Sequence, residues 1–309
     1  MRVLVTGAGG YLGRAVVEAL RAAGHDPIAM VHSSQLAIPG ASETRTADLL
    51  DQTALRQTVA DVEAVCHLAG LTRARESIQE PLKYFRVNTS GTIALLEAMA
   101  ASGVARLVFA STGAIYGTPE RQPMTEDLPA APPHPYASSK YAAELAIEAQ
   151  AQTGEIAGTV VRLLNVAGGA DPDPTRLVPR AITAALRNEA LEVNGDGSAV
   201  RDYLHIADTA DAFVACLEHL PPVGRTRRYN IGSGHGTSIL EVVAAVENVT
   251  GKHVPITRNP PAAEPSTLVS DPSRAIAEIS WAPTRSDIHT IVRDAWNAMS
   301  ADPREALSN

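Results

Sequence analysis

A tyrosine and a lysine four residues apart, Tyr136 and Lys140, are the residues of this sequence whose types and spacing could do acid–base chemistry. They follow a proline-rich stretch and open a predicted helix that runs to about Gln150, so both side chains lie on one helical face. A free tyrosine has a pKa of about 10, and a nearby ammonium favours the phenolate. Tyr136 is therefore a candidate proton acceptor. Because such pairs also occur by chance on many helices, the pair alone does not establish a catalytic site.

Two hydroxyl side chains stand at the end of a predicted strand upstream of this helix. Residues 106–110 have the pattern of a buried strand, and Ser111 and Thr112 follow them. Open α/β sheets bind ligands at the carboxyl ends of their strands. Either hydroxyl could share a substrate proton with Tyr136. Ser111 and Thr112 therefore join Tyr136 and Lys140 as candidate catalytic residues.

A glycine-rich loop joins the first predicted strand to the first predicted helix. Its sequence over residues 6–13 is Thr-Gly-Ala-Gly-Gly-Tyr-Leu-Gly, with Gly7, Gly10 and Gly13 at the spacing of a dinucleotide loop. The first glycine permits a tight turn, the second a close approach of the backbone to pyrophosphate, and the third close packing of helix on strand. The helix N-terminus then offers free N–H groups to phosphates. The loop therefore predicts dinucleotide binding, with Tyr11 and Leu12 among the contacts.

The end of the second predicted strand bears on the choice between NAD and NADP. An acidic residue there would bond the 2′-hydroxyl of the adenosine ribose, but this sequence has Val31, followed by His32 and Ser33. His32 and the serines could bond a 2′-phosphate, although no arginine supplies the usual charge. We expect NAD and leave NADP open. Asp48, which follows the third predicted strand, is a candidate acceptor for the adenine amino group.

Short β-rich segments alternate with helical patterns in the first half of the chain. Strand patterns cover residues 3–6, 27–31, 64–68, 106–110 and 160–164, and helical patterns cover 13–23 and 81–101. This alternation predicts an α/β fold with a doubly wound parallel sheet of Rossmann type. Loop-rich sequence further on predicts a smaller, irregular C-terminal substrate lobe. We predict a dinucleotide-binding domain over 1–165 with a return segment near 203–232, and the substrate lobe over 166–202 and 233–309.

Composition and charge limit the classes of protein to consider. The chain has 309 residues, 45% of them apolar and 19% charged, which excludes a disordered chain. Its formal charge of −8 gives no basic surface for nucleic acid or an anionic membrane. No segment approaches the roughly 18 consecutive apolar residues of a membrane-spanning helix. From the charge and from this pattern we expect neither nucleic acid nor a membrane as a partner. Cys66 and Cys216 have neither disulfide-framework nor metal-ligand spacing, so we expect no metal and a reducing, cytoplasmic location.

In combination these motifs resemble the extended short-chain dehydrogenase/reductase family, and within it the UDP-galactose 4-epimerase-like sugar nucleotide enzymes (NAD-dependent epimerase/dehydratase type). The resemblance extends along nearly the whole chain. It is carried by residues 5–13, 67–71, 76–77, 81–82, Asn88, 91–92, 111–112, 116–117, Tyr136, Lys140, Asn165 and 200–205. It implies a Rossmann fold, a bound dinucleotide, a UDP-sugar or related nucleotide sugar as substrate, and a homodimer formed through helices near 82–101 and 138–150.

The resemblance also implies roles for particular positions. Tyr136 would be the base, Thr112 the hydroxyl that assists it, and Lys140 the ammonium beside it, which also bonds the nicotinamide ribose. The implied cofactor contacts are Gly7, Gly10, Tyr11, Leu12, Gly13, His32, Ser33, Asp48, Leu49, Leu68, Ala69, Gly70, Asn88, Ala110, Tyr136 and Lys140. The implied substrate contacts are Thr112, Tyr136, Asn165, Arg176, Leu177, Arg201, Arg258 and Glu264.

The implied nucleotide contacts depart from the family at two positions. Arg201 would bind the diphosphate, a role that suits its forked donors, and a surface ion pair with Asp202 is the alternative. A second diphosphate arginine and a ribose-binding aspartate would fall at Pro261 and Glu264. Arg258 could substitute for the former, and Glu264 could still bond the ribose. The nucleotide and the sugar therefore stay open.

The residues after Thr112 bear on the reaction. Family members that dehydrate the sugar carry Asp-Glu there, and related decarboxylases keep the Glu, whereas this sequence has Gly113 and Ala114. With no carboxylate there for general acid work, the resemblance favours 4-epimerisation. Tyr136 would take the proton of the sugar 4-hydroxyl while oxidised cofactor takes the C4 hydride, and the 4-keto sugar would turn over before the hydride returns. Small residues at 113 and 114 would leave room for that rotation.

Two alternatives stay open. An NADPH-dependent ketoreductase of a keto sugar would need the same three catalytic residues, and the missing acidic residue near Val31 would favour it. A dinucleotide sensor without turnover is the other alternative, against which the intact Thr112, Tyr136 and Lys140 argue.

Overall fold

The structure, a computed structural model, describes residues 1–32, 37–261 and 265–301. Its strands are β1 (Arg2–Thr6), β2 (Asp26–Val31), β3 (Glu43–Thr46), β4 (Ala64–His67), β5 (Arg106–Thr112), β6 (Ala157–Leu163), β7 (Asn165–Ala167), β8 (Leu191–Asn194), β9 (Val200–His205), β10 (Thr226–Ile231), β11 (Gly236–Ser238), β12 (Ile256–Asn259) and β13 (Thr267–Leu268). Its helices are α1 (Tyr11–Ala22), α2 (Gln52–Val59), α3 (Ala74–Gln79), α4 (Pro81–Tyr84), α5 (Gly91–Ser102), α6 (Pro135–Gln152), α7 (Leu177–Arg187), α8 (Ile206–Glu218), α9 (Ile239–Thr250), α10 (Ser273–Ile279) and α11 (Ile288–Ser300). A π-helical turn (Phe85–Ser90) joins α4 to α5, and a 3₁₀ turn (Gly113–Tyr116) follows β5.

Seven strands of the described chain form one parallel sheet, in the order β10-β6-β5-β4-β1-β2-β3. Val5 is in register with Ala29 on one side of β1, and Val3 with Ala64 on the other. The strand order reverses between β1 and β4, because the chain first moves outward to β3 and then returns. Open α/β sheets bind ligands at such a switch point. The doubly wound parallel sheet predicted from the sequence is confirmed.

Both faces of this sheet are covered by helices. Side chains alternate along a strand, so Val3 and Val5 pack in one core with α1 and α8, whereas Leu4 packs in the other with α2, α5 and α6. Each fully buried aliphatic side chain stabilises the fold by about 1.5–3 kcal/mol relative to an exposed one. The near-continuous apolar sequence of the strands follows from this burial on two sides.

The second lobe is built from short strands and three helices. Strand β9 pairs with β7, β11 and β13, and β12 pairs with β8. Ile182 of α7, Val242 of α9 and Ile291 of α11 share one apolar core. This lobe faces the carboxyl end of the large sheet, since β7 begins directly after β6.

The C-terminal part of the chain contacts both lobes. The predicted division placed residues 233–309 wholly in the substrate lobe, but Ala275, Ile279 and Trp281 pack in a core of the large sheet. The reason is that α10 lies against β10, while Trp281 Nε1 donates to the Asp208 carbonyl of α8 at 2.9 Å. The predicted domain boundaries otherwise stay a prediction.

Candidate active site

A cavity of about 720 Å³ lies at the carboxyl ends of β1, β4 and β5, between the large sheet and the second lobe. It brings together most of the predicted site residues from seven separate parts of the sequence. Those that line it are Gly7, Gly10, Tyr11, Leu12, Gly13, His32, Leu68, Ala69, Gly70, Ala110, Ser111, Thr112, Tyr136, Lys140, Asn165, Arg176 and Leu177. The glycine loop and the Tyr136/Lys140 pair therefore belong to one site.

The glycine loop has the geometry that dinucleotide binding requires. Gly7 has a φ of +70°, and a Cβ there would lie 2.8 Å from the Ala69 amide nitrogen. A Cβ on Gly13 would lie 2.1 Å from the Gly7 carbonyl oxygen, so α1 can pack on the loop only with glycine at this position. Within the described residues no side chain caps α1 at Gly10, which leaves the first amides of the helix to phosphate oxygens. The loop fits the pyrophosphate of a dinucleotide.

Buried hydrogen bonds hold the wall beside this loop. Thr6 Oγ1 accepts from the amides of Leu68 and Ala69, at 3.1 Å each, and donates to His67 Nδ1 at 2.7 Å. His67 Nε2 donates to Thr92 Oγ1 at 3.0 Å. Burial lowers the pKa of His67 to about 3, so its ring is neutral. These bonds join the ends of β1 and β4 and fix the wall that starts at Leu68.

The proline-rich stretch before α6 sets the position of Tyr136. His134 Nδ1 accepts from the Ala137 amide at 3.2 Å and caps the helix, in which Pro135 is the first residue. The Tyr136 ring stacks on the His134 ring, with centroids 5.8 Å apart, and meets the edge of Tyr84 at 6.4 Å. Tyr136 is thereby held in the first turn of α6, at the positive end of the helix dipole.

The phenol of Tyr136 lies beside Thr112. Burial raises the pKa of Tyr136, while the hydrogen bond with the Thr112 hydroxyl and the charge of Arg176 lower it. The sequence predicted that the Lys140 ammonium would be the group that lowers this pKa. The structure differs, because Lys140 Nζ donates to the Ala110 carbonyl at 2.9 Å. Thr112, rather than Lys140, is therefore the neighbour on which the pKa of Tyr136 depends in this structure.

Lys140 is buried beneath the site. Its Nζ lies 4.8 Å from the centre of the Phe109 ring, and a Cβ on Gly70 would lie 3.3 Å from it. Burial lowers the pKa of Lys140 to about 8, and the charge of Glu144 raises it. The ammonium, which is predicted to bond the nicotinamide ribose, therefore lies beside Gly70, one of the predicted cofactor contacts in the cavity wall.

Asn88 supports the site from outside the cavity. It lies in the π-helical turn that interrupts the helix predicted over 81–101, and Thr92 Oγ1 donates to its carbonyl at 2.6 Å. Its side chain accepts from the Leu71 amide at 2.8 Å and donates to the Leu71 carbonyl and to Ser139 Oγ, both at 3.0 Å. Ser139 Oγ in turn donates to the Tyr136 carbonyl at 2.8 Å. Asn88 thus connects the cavity wall to the helix that carries Tyr136.

The two hydroxyls at the end of β5 have different partners. Successive side chains of a strand point to opposite faces, so one of them turns away from Tyr136. Ser111 Oγ donates to the buried Glu144 carboxylate, whereas Thr112 Oγ1 accepts from the Ala114 amide at 3.1 Å and lies beside Tyr136. The sequence treated both hydroxyls as catalytic candidates, and the geometry favours Thr112.

The small residues after Thr112 serve packing. A Cβ on Gly113 would lie 2.8 Å from Leu164 Cδ2, and neither Gly113 nor Ala114 is among the described residues that line the cavity. The predicted reason for these residues, room for a rotating sugar, is therefore not what the structure shows. The carboxylate that lines the cavity in the described chain is that of Asp171, which pairs with Arg176.

Arg176 lies where the glycine loop meets the second lobe. Its guanidinium stacks over the Tyr11 ring at 5.4 Å and pairs with Asp171 at 3.1 Å. Tyr11 OH donates to the Gly168 carbonyl. Burial and the Asp171 charge raise the pKa of Tyr11, so the phenol stays protonated. These contacts join the cofactor loop to the loop before α7, and Leu177, the first residue of α7, lies beside them in the cavity wall.

The end of the cavity predicted to bind the adenosine of the cofactor is exposed at His32. His32 lines the cavity, and its Nε2 lies 3.2 Å from Asp48 Oδ2. Asp48 and Leu49 are not among the described lining residues; Leu49 is buried against Gly91. Ser33 lies outside the described residues.

Two of the residues predicted to bind the diphosphate, Arg201 and Arg258, do not line the cavity in the described structure. Arg201 donates to the carbonyls of Val200 and Pro265, both at 2.9 Å, and is not among the described residues that line the cavity. Arg258, the predicted substitute for a second diphosphate arginine, lies exposed on β12, which pairs with β8, and is not among the described residues that line the cavity. Glu264 lies outside the described residues. Asn165 does line the cavity, and its Nδ2 donates to the Asp202 carbonyl at 3.1 Å.

Some residues of the site were not predicted. Gly9, Thr72 and Asp171 line the cavity, and Tyr84 and His134 enclose the Tyr136 ring. The sequence Pro-His-Pro-Tyr could have indicated the His134 cap. Asp171 and Tyr84 have no local signal, because their contacts are with residues distant in sequence.

No described helix is long and apolar enough to span a membrane. Within the described ranges, no three His, Cys, Asp or Glu side chains are grouped to hold a metal ion.

Together the fold and the site define a Rossmann-type enzyme with a dinucleotide loop and a tyrosine placed for proton transfer. The model of the NAD dependent epimerase/dehydratase family matches residues 3–232, and the chain belongs to this family. It is 35% identical to a UDP-glucose 4-epimerase of Lacticaseibacillus casei over 96% of both chains.

Solved structures agree with this assignment. A UDP-glucose-4-epimerase from Stenotrophomonas maltophila with bound NAD and formylated UDP-arabinopyranose superimposes with a TM-score of 0.92, at 30% identity over 99% of both chains. A UDP-glucose 4-epimerase from Brucella ovis in complex with NAD gives a TM-score of 0.89, at 33% identity over 96% of this chain and 97% of that one. The family predicted from the sequence motifs is confirmed.

Proposed function

We propose that this protein is a nucleotide-sugar 4-epimerase of the UDP-hexose type that works with NAD. The observation that carries the proposal is that one cavity contains the glycine loop, the Thr112–Tyr136 pair and the start of α7. A dinucleotide on the glycine loop and a nucleotide sugar against α7 would therefore meet at Tyr136. UDP-glucose 4-epimerases similar over nearly the whole chain support the same activity.

The residues at the centre of the cavity suit reversible oxidation of a sugar carbinol. Bound NAD would supply the hydride acceptor at C4 of the sugar and the source of the returning hydride. Tyr136, ionised to the phenolate beside bound oxidised NAD, would accept the proton of the 4-hydroxyl and give it back, with Thr112 sharing that proton. Lys140 would hold the nicotinamide ribose with its ammonium. Because the same tyrosine acts in both directions, no second acid is needed.

The charges around the cavity favour epimerisation over dehydration. Loss of water from the sugar requires a further general acid or base near Thr112. In the described part of the cavity wall the carboxylate is that of Asp171, whose charge is paired with Arg176. Asp171 lies on the loop that contacts Tyr11, and both of its carboxylate oxygens accept from Arg176 there.

NAD is the cofactor that the adenine end favours. The Asp48 carboxylate lies 3.2 Å from the His32 imidazole, which is the cationic candidate for a 2′-phosphate there. A phosphate beside His32 would meet the negative charge of Asp48. The Brucella ovis and Stenotrophomonas maltophila structures contain NAD, which supports the same choice.

A homodimer is also part of the proposal. Large apolar side chains are exposed on adjacent helices of one face, namely Ile78 (66%), Leu82 (76%), Ile93 (41%) and Leu145 (46%). Contiguous exposed apolar surface marks interaction sites. Leu82, Ile93 and Leu145 lie in the helices near 82–101 and 138–150 that were predicted to form the dimer interface, and Ile78 lies on the adjoining α3. A second copy of this chain is therefore the partner that we propose.

The test begins with the cofactor that the purified protein retains. Denaturation should release about one NAD per chain, identified by mass spectrometry. The protein should then interconvert UDP-galactose and UDP-glucose with no added cofactor and no net formation of NADH. A cofactor-free protein that consumes added NADPH with a 4-keto nucleotide sugar would instead establish the ketoreductase.

A further inference from the structure

A chain of buried polar groups begins at Ser111 and enters the core behind the catalytic residues. The Glu144 side chain is 1% exposed and Arg162 is 4% exposed. Glu144 accepts from Ser111 Oγ and, through both carboxylate oxygens, from Arg162 at 2.6 and 3.2 Å. The ion pair therefore lies directly beneath the end of β5, next to Thr112.

The chain continues into neighbouring elements. Arg162 Nη1 donates to Tyr116 OH at 2.7 Å, and Tyr116 OH donates to Asn230 Oδ1 at 2.8 Å. Asn230 Nδ2 donates to the Met124 carbonyl at 2.8 Å. Ser111 and Tyr116 stand on either side of the short segment that begins with Thr112. The network therefore anchors the Thr112 segment at both ends, against α6, β6 and β10.

The same carboxylate lies one helical turn after Lys140. The titratable groups around the Lys140 ammonium are Tyr136 and Glu144 on its own helix and His67 on β4, and the His67 ring is neutral. β5 contributes the Ala110 carbonyl and the Phe109 ring. Arg162 and Arg228 lie on the far side of Glu144, the latter with its Nε 3.7 Å from Oε2. Glu144, one helical turn away on α6, is thus the carboxylate whose charge acts on this ammonium.

Stability alone gives a weak reason for such a pair. Replacing a buried ion pair with well-packed apolar side chains is often neutral or stabilising, because two charges must be desolvated. A fully hydrogen-bonded pair beside the reacting groups has another use. It fixes the relative positions of β5 and α6, which carry Thr112 and Tyr136.

We propose that Glu144 and Arg162 are positioning residues of the hydride-transfer site, which hold the Thr112 segment against α6 and place a negative charge behind the Lys140 ammonium. Neither residue is among the described residues that line the cavity, so both act through Ser111, Tyr116 and Lys140. The inference rests on the proposed function only in that the epimerase reaction is one of its two readouts.

The test compares Glu144→Gln and the double variant Glu144→Gln/Arg162→Met with a control, Glu148→Gln. Glu148 lies one turn further along α6 and pairs with Arg228 at the surface. The single variant leaves Arg162 buried without a partner and can unfold, whereas the double variant removes both charges. The chain has three lysines, Lys83, Lys140 and Lys252, so ¹³C-lysine NMR can follow Lys140 directly.

In the double variant the loss of the Glu144 charge lowers the pKa of Lys140, and the loss of the Arg162 charge on the far side of Glu144 offsets part of this. The pKa of Lys140 should therefore fall, by up to about 1 pH unit. Since activity needs the ammonium, the alkaline limb of kcat should move to lower pH by the same amount. The Glu148→Gln control should match the wild type in both readouts. A folded double variant whose Lys140 titrates as in the wild type would overturn the inference. A wild type without epimerase activity would refute only the proposed function, because the NMR titration does not depend on turnover.

Discussion

At the scale of single residues, the site depends on a phenol that is hard to ionise. Burial raises the pKa of Tyr136, and the Thr112 hydroxyl offsets this through a hydrogen bond. In the proposed reaction this phenol oxygen accepts the proton of the sugar 4-hydroxyl and returns it. The proposed proton transfer therefore depends on one atom, the phenol oxygen of Tyr136.

Replacement of Tyr136 by phenylalanine tests the role of this oxygen atom. Tyr136→Phe keeps the ring that stacks on His134 but removes the proton acceptor, so kcat should fall by about 10²–10⁴-fold. NAD retention should stay near one per chain. Tyr141→Phe, on the next turn of α6, is the matched control and should keep its activity. Turnover close to that of the wild type in Tyr136→Phe would remove this residue from the role of base.

At the scale of elements, the junction of β1 and α1 determines whether a dinucleotide can bind. The helix begins two residues earlier than the sequence pattern predicted, at Tyr11, because Gly10 already has the extended conformation of an N-cap. The close approach of α1 to the loop then leaves no space for a side chain at Gly13.

Gly13→Ala should disturb this junction. Its methyl group would lie 2.1 Å from the Gly7 carbonyl oxygen, so α1 must shift and the unfolding free energy should fall by about 1–3 kcal/mol. The shift would also displace the amides that bind pyrophosphate. Glu18→Ala, on the exposed face of the same helix, serves as control. Chemical denaturation and NAD content measure the two effects, and an unchanged NAD content in Gly13→Ala would argue against the loop as the pyrophosphate site.

At the scale of the whole molecule, the proposed homodimer would cover the exposed apolar side chains of α3 to α6. Leu82 is 76% exposed and lies on the helix beside the π-helical turn that contains Asn88. A second copy on this surface would also restrain the helix that carries Tyr136, because α3 and α4 contact α6.

Leu82→Asp should convert the dimer into a monomer, since a carboxylate would be buried at the interface without a partner. Light scattering after size-exclusion chromatography measures the mass. Ile276→Asp is the control, because Ile276 is exposed on α10 at the opposite face of the sheet. A wild-type protein that elutes as a monomer at micromolar concentration would contradict the proposed homodimer.

Much of this molecule could be derived from local patterns. The glycine spacing at 7, 10 and 13, the alternation of strands and helices, and the Tyr136/Lys140 spacing depend on neighbours in the chain, and they predicted the sheet, the family and the residues of the cavity. Periodicity and turn chemistry are local properties, so a sequence displays them directly.

Other features depend on groups far apart in the chain. Ser111 bonds to Glu144, whereas Thr112 lies beside Tyr136. Arg176 stacks on Tyr11, and Leu164 leaves no room for a side chain at Gly113. All of these contacts follow from how the sheet, the helices and the second lobe pack together. The charge environment of Tyr136 likewise depends on burial and on Arg176, which only packing brings near. The residue types were therefore readable from the sequence, whereas the direction of each side chain and the state of each proton were decided by the tertiary structure.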